Sequence, residues 1–173
     1  MRSRPSPRGF CPPSRTPTLP ELTLTLADAE ATGRLGAAIA PRLAAGESVL
    51  LYGPLGMGKS TLARALIRAL TTPDEDVPSP TFTLVQFYES DPPVAHFDLY
   101  RLTRPEEAFE IGLDEALDEG CAVLEWPERL GDDPGAWLGP DRLVVTLSEQ
   151  GEGRRATLSG AGAWQEKLKD LHV

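Results

Sequence analysis

Leucine and threonine alternate over Leu22-Thr23-Leu24-Thr25-Leu26, a period of two that predicts a strand with one buried face. The spacing then changes to that of a helix, from about Asp28 to Ala40, and Pro41 stops it. Ser48 to Tyr52 is a short apolar run that predicts a buried strand. From Ser60, the positions Leu62, Ala63, Leu66, Ile67 and Leu70 form an apolar stripe at helical spacing. Thr72 to Pro80 is polar and broken by prolines, so it predicts a loop. Thr81 to Glu89 is rich in strand-forming residues. The break at Asp91-Pro92-Pro93 then separates it from a strand over Val94 to Phe97 that ends at Asp98.

Further along, Thr103-Arg104-Pro105-Glu106 has the spacing of a capping box and predicts a helix start. Cys121 to Leu124 is a fully apolar strand running into Glu125-Trp126-Pro127. Leu143 to Leu147 and Arg155 to Leu158 predict an antiparallel pair around Gly151-Glu152-Gly153, and a short helix from about Ala163 to Leu171 closes the chain. Strands and helices mixed in this way predict an α/β sandwich with a mixed sheet.

Between the strand at 48–52 and the helix after it lies Gly53-Pro54-Leu55-Gly56-Met57-Gly58-Lys59-Ser60, which fits the phosphate-loop pattern G-x-x-x-x-G-K-[ST]. Glycines let consecutive N–H groups turn onto oxyanions, and the helix that follows adds its positive dipole end. The chain has fourteen arginines and three lysines, and Lys59 is the one lysine in the first 166 residues. A compact ammonium there reaches between β- and γ-phosphates, and the Ser60 hydroxyl suits magnesium. Strand, glycine loop and helix together predict a nucleotide site.

Such a loop needs acidic help for the metal, at the ends of apolar strands. Asp98 and Glu125 both fit, because the crevice of an open α/β sheet lies at the carboxyl ends of its parallel strands. One acid would serve the metal and the other the attacking water. Ser79-Pro80-Thr81-Phe82 offers hydroxyls where a nucleotide switch sits, although a plain proline turn explains the same residues. Trp126 at a strand end either leans on the site or is ordinary core, and His96 in its apolar strand reads as a core histidine.

Composition narrows the setting. The chain of 173 residues predicts one domain over residues 21–173, preceded by a disordered, basic, proline-rich tail over residues 1–20. The net charge of −9 conceals four arginines and no acid in that tail, so residues 21–173 carry 13 basic and 26 acidic groups. Such a body repels nucleic acid, and any RNA it serves is expected to be held by a partner. No stretch approaches the roughly 18 apolar residues of a membrane helix. Cys11 and Cys121 are far apart, which predicts a reduced, cytoplasmic protein without a disulfide or zinc site.

The phosphate loop with Thr61, Ser79-Pro80-Thr81-Phe82-Thr83-Leu84-Val85, His96-Phe97-Asp98-Leu99-Tyr100-Arg101-Leu102 and Glu125-Trp126-Pro127 occur in this order. The set resembles the TsaE (YjeE) family, small bacterial P-loop ATPases of tRNA threonylcarbamoyladenosine biosynthesis, over roughly residues 21 to 150. The resemblance implies a P-loop NTPase three-layer sandwich. It also implies slow magnesium-dependent ATP hydrolysis and action with TsaB and TsaD, tRNA being met only through that complex. By motif, Gly53, Leu55, Gly56, Met57, Gly58, Lys59, Ser60 and Thr61 would bind the nucleotide, and Ser60, Asp98 and Glu125 would serve the metal. Glu125, Asp98 and Lys59 would be catalytic, with Thr81 in the switch loop and Trp126 beside the site. Pro54 and Met57 stand where the family often has Asp and Ala, and Pro54 removes one loop N–H. A small P-loop kinase or a non-hydrolysing assembly module would share the same loop.

Overall fold

The computed structural model describes residues 19–173; the tail expected over residues 1–20 lies, except for Leu19 and Pro20, outside them. Seven strands form one sheet in the order β1-β7-β6-β2-β5-β4-β3. They are β1 (Glu21–Leu26), β2 (Ser48–Tyr52), β3 (Val85–Tyr88), β4 (Val94–Asp98), β5 (Cys121–Glu125), β6 (Arg142–Gln150) and β7 (Gly153–Ala161). The central strands β6, β2, β5 and β4 run parallel, while β1, β7 and β3 pair antiparallel at the flanks. The expected mixed sheet is therefore present, and its parallel centre brings three carboxyl ends, those of β2, β5 and β4, side by side.

Alternation along these strands divides the core into two layers. Val49 and Leu51 of β2, with Cys121 and Val123 of β5, pack under the helices α1 (Ala29–Ile39) and α2 (Lys59–Leu70). Leu50, Ala95, Phe97, Ala122 and Leu124 face the other way, toward α3 (Glu107–Glu110), α4 (Leu113–Glu119) and α5 (Gly135–Leu138). Helices on both faces of the sheet make the three-layer sandwich. Asp28 caps α1 by accepting from the Ala31 N–H at 2.8 Å, and Pro41 turns its end into one 3-10 turn. Helix α6 (Trp164–Lys167) packs against β7 and buries Trp164 completely.

Four local expectations are corrected. Thr81 to Leu84 is a turn, so β3 starts at Val85: Leu84 adopts φ 69 and donates its N–H to Pro80 O at 2.7 Å. The cap at Thr103 uses Glu107 in place of Glu106, accepting from the Thr103 N–H at 2.8 Å and hydroxyl at 3.0 Å. The helix expected there breaks in two at Gly112, which has φ 94. The C-terminal helix is one turn long. Among the described residues no helix is long and apolar enough to cross a membrane.

Candidate functional site

The glycine loop joins the end of β2 to the start of α2, as its spacing predicts. Gly53 has φ 139, and a Cβ there would lie 2.5 Å from Leu147 O, so both the backbone angle and the close approach of β6 exclude a side chain. Gly58, with φ 104, delivers the chain into α2 and accepts from the Leu62 N–H at 2.9 Å. The Lys59 ammonium folds back over the loop, donating to Gly53 O and, at 3.0 Å, to Pro54 O. It also sits 4.0 Å from the centroid of the Trp126 ring. Burial pushes its pKa below the usual lysine value, against the attraction of Glu125, Glu128 and Asp98.

The acids reach the same place from the sheet. Asp98 and Glu125 are paired across β4 and β5, and alternation puts both on the α2 side. Both are buried among their neighbours. Glu125 accepts from the Ser60 hydroxyl at 3.1 Å on Oε1 and 3.0 Å on Oε2. Its Oε1 also lies 2.8 Å from His96 Nε2. Asp98 accepts from the Tyr100 N–H at 3.1 Å on Oδ1 and from the Thr81 hydroxyl at 3.3 Å on Oδ2. The Thr81 hydroxyl is in turn 2.9 Å from that of Ser79. Trp126, held at φ 58, stacks obliquely on Tyr100 with centroids 4.9 Å apart.

Two clefts flank the loop. One is lined by Leu55, Gly56, Gly58, Lys59, Ser60, Thr61, Ser79, Thr81, Asp98, Glu125 and Trp126. Most of the residues singled out from the sequence thus converge in it. The second cleft, on the opposite side, is lined by Asp28, Ala29, Thr32, Met57, Glu152, Gly153 and Arg154, and shares Gly56, Gly58 and Thr61 with the first. Met57 faces this second cleft, and Gly53 lies behind the loop and lines neither. The sequence carries no local signal for the second cleft. Its parts come from the β1–α1 and β6–β7 turns, which look like ordinary connections until the sheet brings β1 and β7 together.

The donor set of the first cleft fits magnesium. Ser60, Asp98 and Glu125 offer hard oxygens, and the ion is held by one or two carboxylates plus substrate phosphates. Among the described residues no group of three or more His, Cys, Asp or Glu side chains could hold a metal. A glycine loop between a central parallel strand and its helix, with two acids at neighbouring strand ends, defines an α/β protein of the P-loop NTPase architecture.

A sequence model of the threonylcarbamoyl adenosine biosynthesis protein TsaE matches residues 26–157, and the chain belongs to that family. The tRNA threonylcarbamoyladenosine biosynthesis protein TsaE of Rickettsia felis is 40% identical over 133 residues, covering 76% of this chain and 75% of the relative. The protein of the same name from Nostoc sp. is 36% identical over 141 residues, covering 78% and 84%. The crystal structure of Bacillus subtilus YdiB matches the fold with a TM-score of 0.71, at 24% identity, over 88% of this chain and 94% of that one. The family resemblance expected from the four motifs is therefore met, and with it a role in tRNA threonylcarbamoyladenosine biosynthesis.

Proposed function

We propose that the chain is the magnesium-dependent ATPase subunit of the tRNA threonylcarbamoyladenosine machinery, working in the cytoplasm with TsaB and TsaD so that their complex turns over repeatedly. One observation carries this reading: Lys59, Ser60, Asp98 and Glu125 converge in a single cleft at the carboxyl ends of β2, β4 and β5. Loop N–H groups and Lys59 hold the β- and γ-phosphates, and Thr61, shared by both clefts, meets the α-phosphate where the nucleotide crosses between them. The second cleft then takes ribose and base, with Asp28 and Arg154 as its polar ends.

Bound magnesium would neutralise charge on the triphosphate, with Ser60 and Asp98 as its protein donors. Glu125 orients and deprotonates the attacking water, and Asp98 serves the metal side. Thr81 bonds Asp98, so a change at Asp98 is felt directly by the Ser79–Leu84 turn, which acts as the switch. The acidic body supports leaving RNA to the partner proteins. A kinase would need arginines over an acceptor. Yet Arg101 lies against the Phe82 ring, Arg129 against Tyr100 and Arg104 near Glu107 and Glu110, and none lines either cleft.

The test is ATP hydrolysis by the purified chain with magnesium and no small acceptor, alone and with its own TsaB and TsaD. Slow turnover that rises with the partners is expected. Tight ATP binding without turnover in either condition would overturn hydrolysis and favour a passive assembly module.

A further inference from the structure

His96 reads from the sequence as a core histidine, and it is 1% exposed in the middle of β4. It is therefore a core residue as read, but packing alone does not account for its ring nitrogens. Nε2 lies 2.8 Å from Glu125 Oε1, while Nδ1 is buried with no hydrogen-bond partner. A leucine would fill this position without burying a bare ring nitrogen, so apolar packing alone gives no reason for an imidazole here. The two nitrogens also fix where the ring hydrogen sits. A buried N–H without an acceptor forfeits its hydration, and a carboxylate oxygen at 2.8 Å needs a donor. The hydrogen therefore belongs on Nε2, and Nδ1 keeps a lone pair.

The backbone explains the contact. Val94, His96 and Asp98 alternate onto the α2 face of β4, and parallel pairing sets His96 opposite Val123 and Asp98 opposite Glu125. His96 thus reaches Glu125 diagonally, from inside the core, on the side away from the cleft that Glu125 lines. Within this network Glu125 has two donors, His96 and Ser60. In the proposed ATPase the Ser60 hydroxyl would serve the metal, and His96 would then be the one donor left to Glu125.

We propose that His96 is a positioning residue for hydrolysis. Its Nε2–H anchors Oε1 of Glu125 and fixes the carboxylate plane, so Oε2 remains the oxygen that takes the proton of the attacking water. This rests on the hydrolytic role assigned to Glu125. It separates two functions along β4, since Asp98 touches the cleft and His96 acts through another side chain.

A glutamine at 96 carries its amide nitrogen about where Nε2 lies, and an asparagine carries it about where Nδ1 lies. The test compares His96→Gln, His96→Asn and His96→Leu, each alone and combined with Glu125→Ala. Turnover, ATP affinity and melting temperature are measured for every variant. His96→Asn and His96→Leu are expected to lower kcat about tenfold or more with ATP affinity nearly unchanged, and His96→Gln to restore most of it. In the Glu125→Ala background His96→Asn should have no further effect on kcat. If His96→Leu fails to fold, the Asn and Gln pair carries the comparison.

Equal turnover in the Asn and Gln variants, or additive losses with Glu125→Ala, would overturn the proposal. A second readout needs no turnover. In a His172→Gln chain His96 is the sole histidine, and long-range proton–nitrogen NMR should find Nε2 protonated and Nδ1 bare, with both signals moving on Glu125→Ala. The opposite tautomer, or a ring indifferent to Glu125, overturns it. A wild-type chain that hydrolyses no ATP even with partners overturns the ATPase reading and this one together, whereas intact hydrolysis in His96→Asn overturns this one alone.

Discussion

Lys59 donates to two carbonyls of its own loop and rests against the Trp126 face, so a triphosphate must draw it away from an aromatic ring. Nucleotide binding should therefore change Trp126 fluorescence. We expect a change on adding MgATP that vanishes in Trp126→Phe, with Trp137 and Trp164 left as internal references. Unchanged emission in a chain that calorimetry finds saturated with ATP would contradict it. The acids next to Lys59 should separate binding from chemistry. Glu125→Ala keeps the loop and Lys59, so ATP affinity is expected to hold while partner-stimulated turnover falls by ~10²–10⁴. Asp98→Asn removes one metal-side charge but keeps a carbonyl to accept from Tyr100 or Thr81. It should shift the magnesium titration of turnover to higher concentration, and a wild-type titration curve would count against that role.

Between elements, one close approach bearing on the site is that of α1 and α2. A Cβ on Gly36 would meet Leu62 O at 2.4 Å, so the two helices touch backbone to backbone just behind the phosphate loop. Gly36→Val should force them apart, at a cost of about 1–3 kcal/mol, and move α2 relative to the loop it starts. Urea unfolding should register the loss, and weaker ATP binding should accompany it; a wild-type midpoint would mean that the helices separate freely. That contact is not written in the sequence, where Gly36 is one of several small residues in a helical pattern. What was legible at this scale was whatever depends on near neighbours. The apolar runs gave β2, β4 and β5, and the glycine spacing gave the loop between β2 and α2. The start of β3 was not legible because Leu84 sits at positive φ and its carbonyl accepts from the distant Asp98 N–H. The cap at Thr103 slipped by one residue because Pro105 delays the helix and leaves Glu107 to reach back.

At the scale of the whole molecule, the sequence held the sandwich and the first cleft but not the second, because the second exists only once β1 has paired with β7 and brought Asp28 near Arg154. Burial in the central sheet also makes stability depend on alkaline pH. Cys121 opens β5 fully buried, and burial raises its thiol from 9.0 to about 12, with Glu47 adding to the shift. Between those values the unfolded chain has lost the thiol proton while the folded chain retains it. Stability from this group is therefore whole below about pH 9 and drains away as pH rises toward about 12. Burial raises Tyr52 and Tyr88 as well, which acts in the same direction, whereas the lowered pKa of Lys59 acts in the opposite one. These groups cancel when wild type is compared with Cys121→Ala. At neutral pH that variant should be less stable by roughly 1 kcal/mol, from the small cavity left by the sulfur. Its urea midpoint should fall less steeply above about pH 9, so the gap between the two proteins narrows, measured with reductant present. A gap constant across the alkaline range would mean that Cys121 ionises as readily in the folded chain as in the unfolded one, and that its strand opens to water without global unfolding.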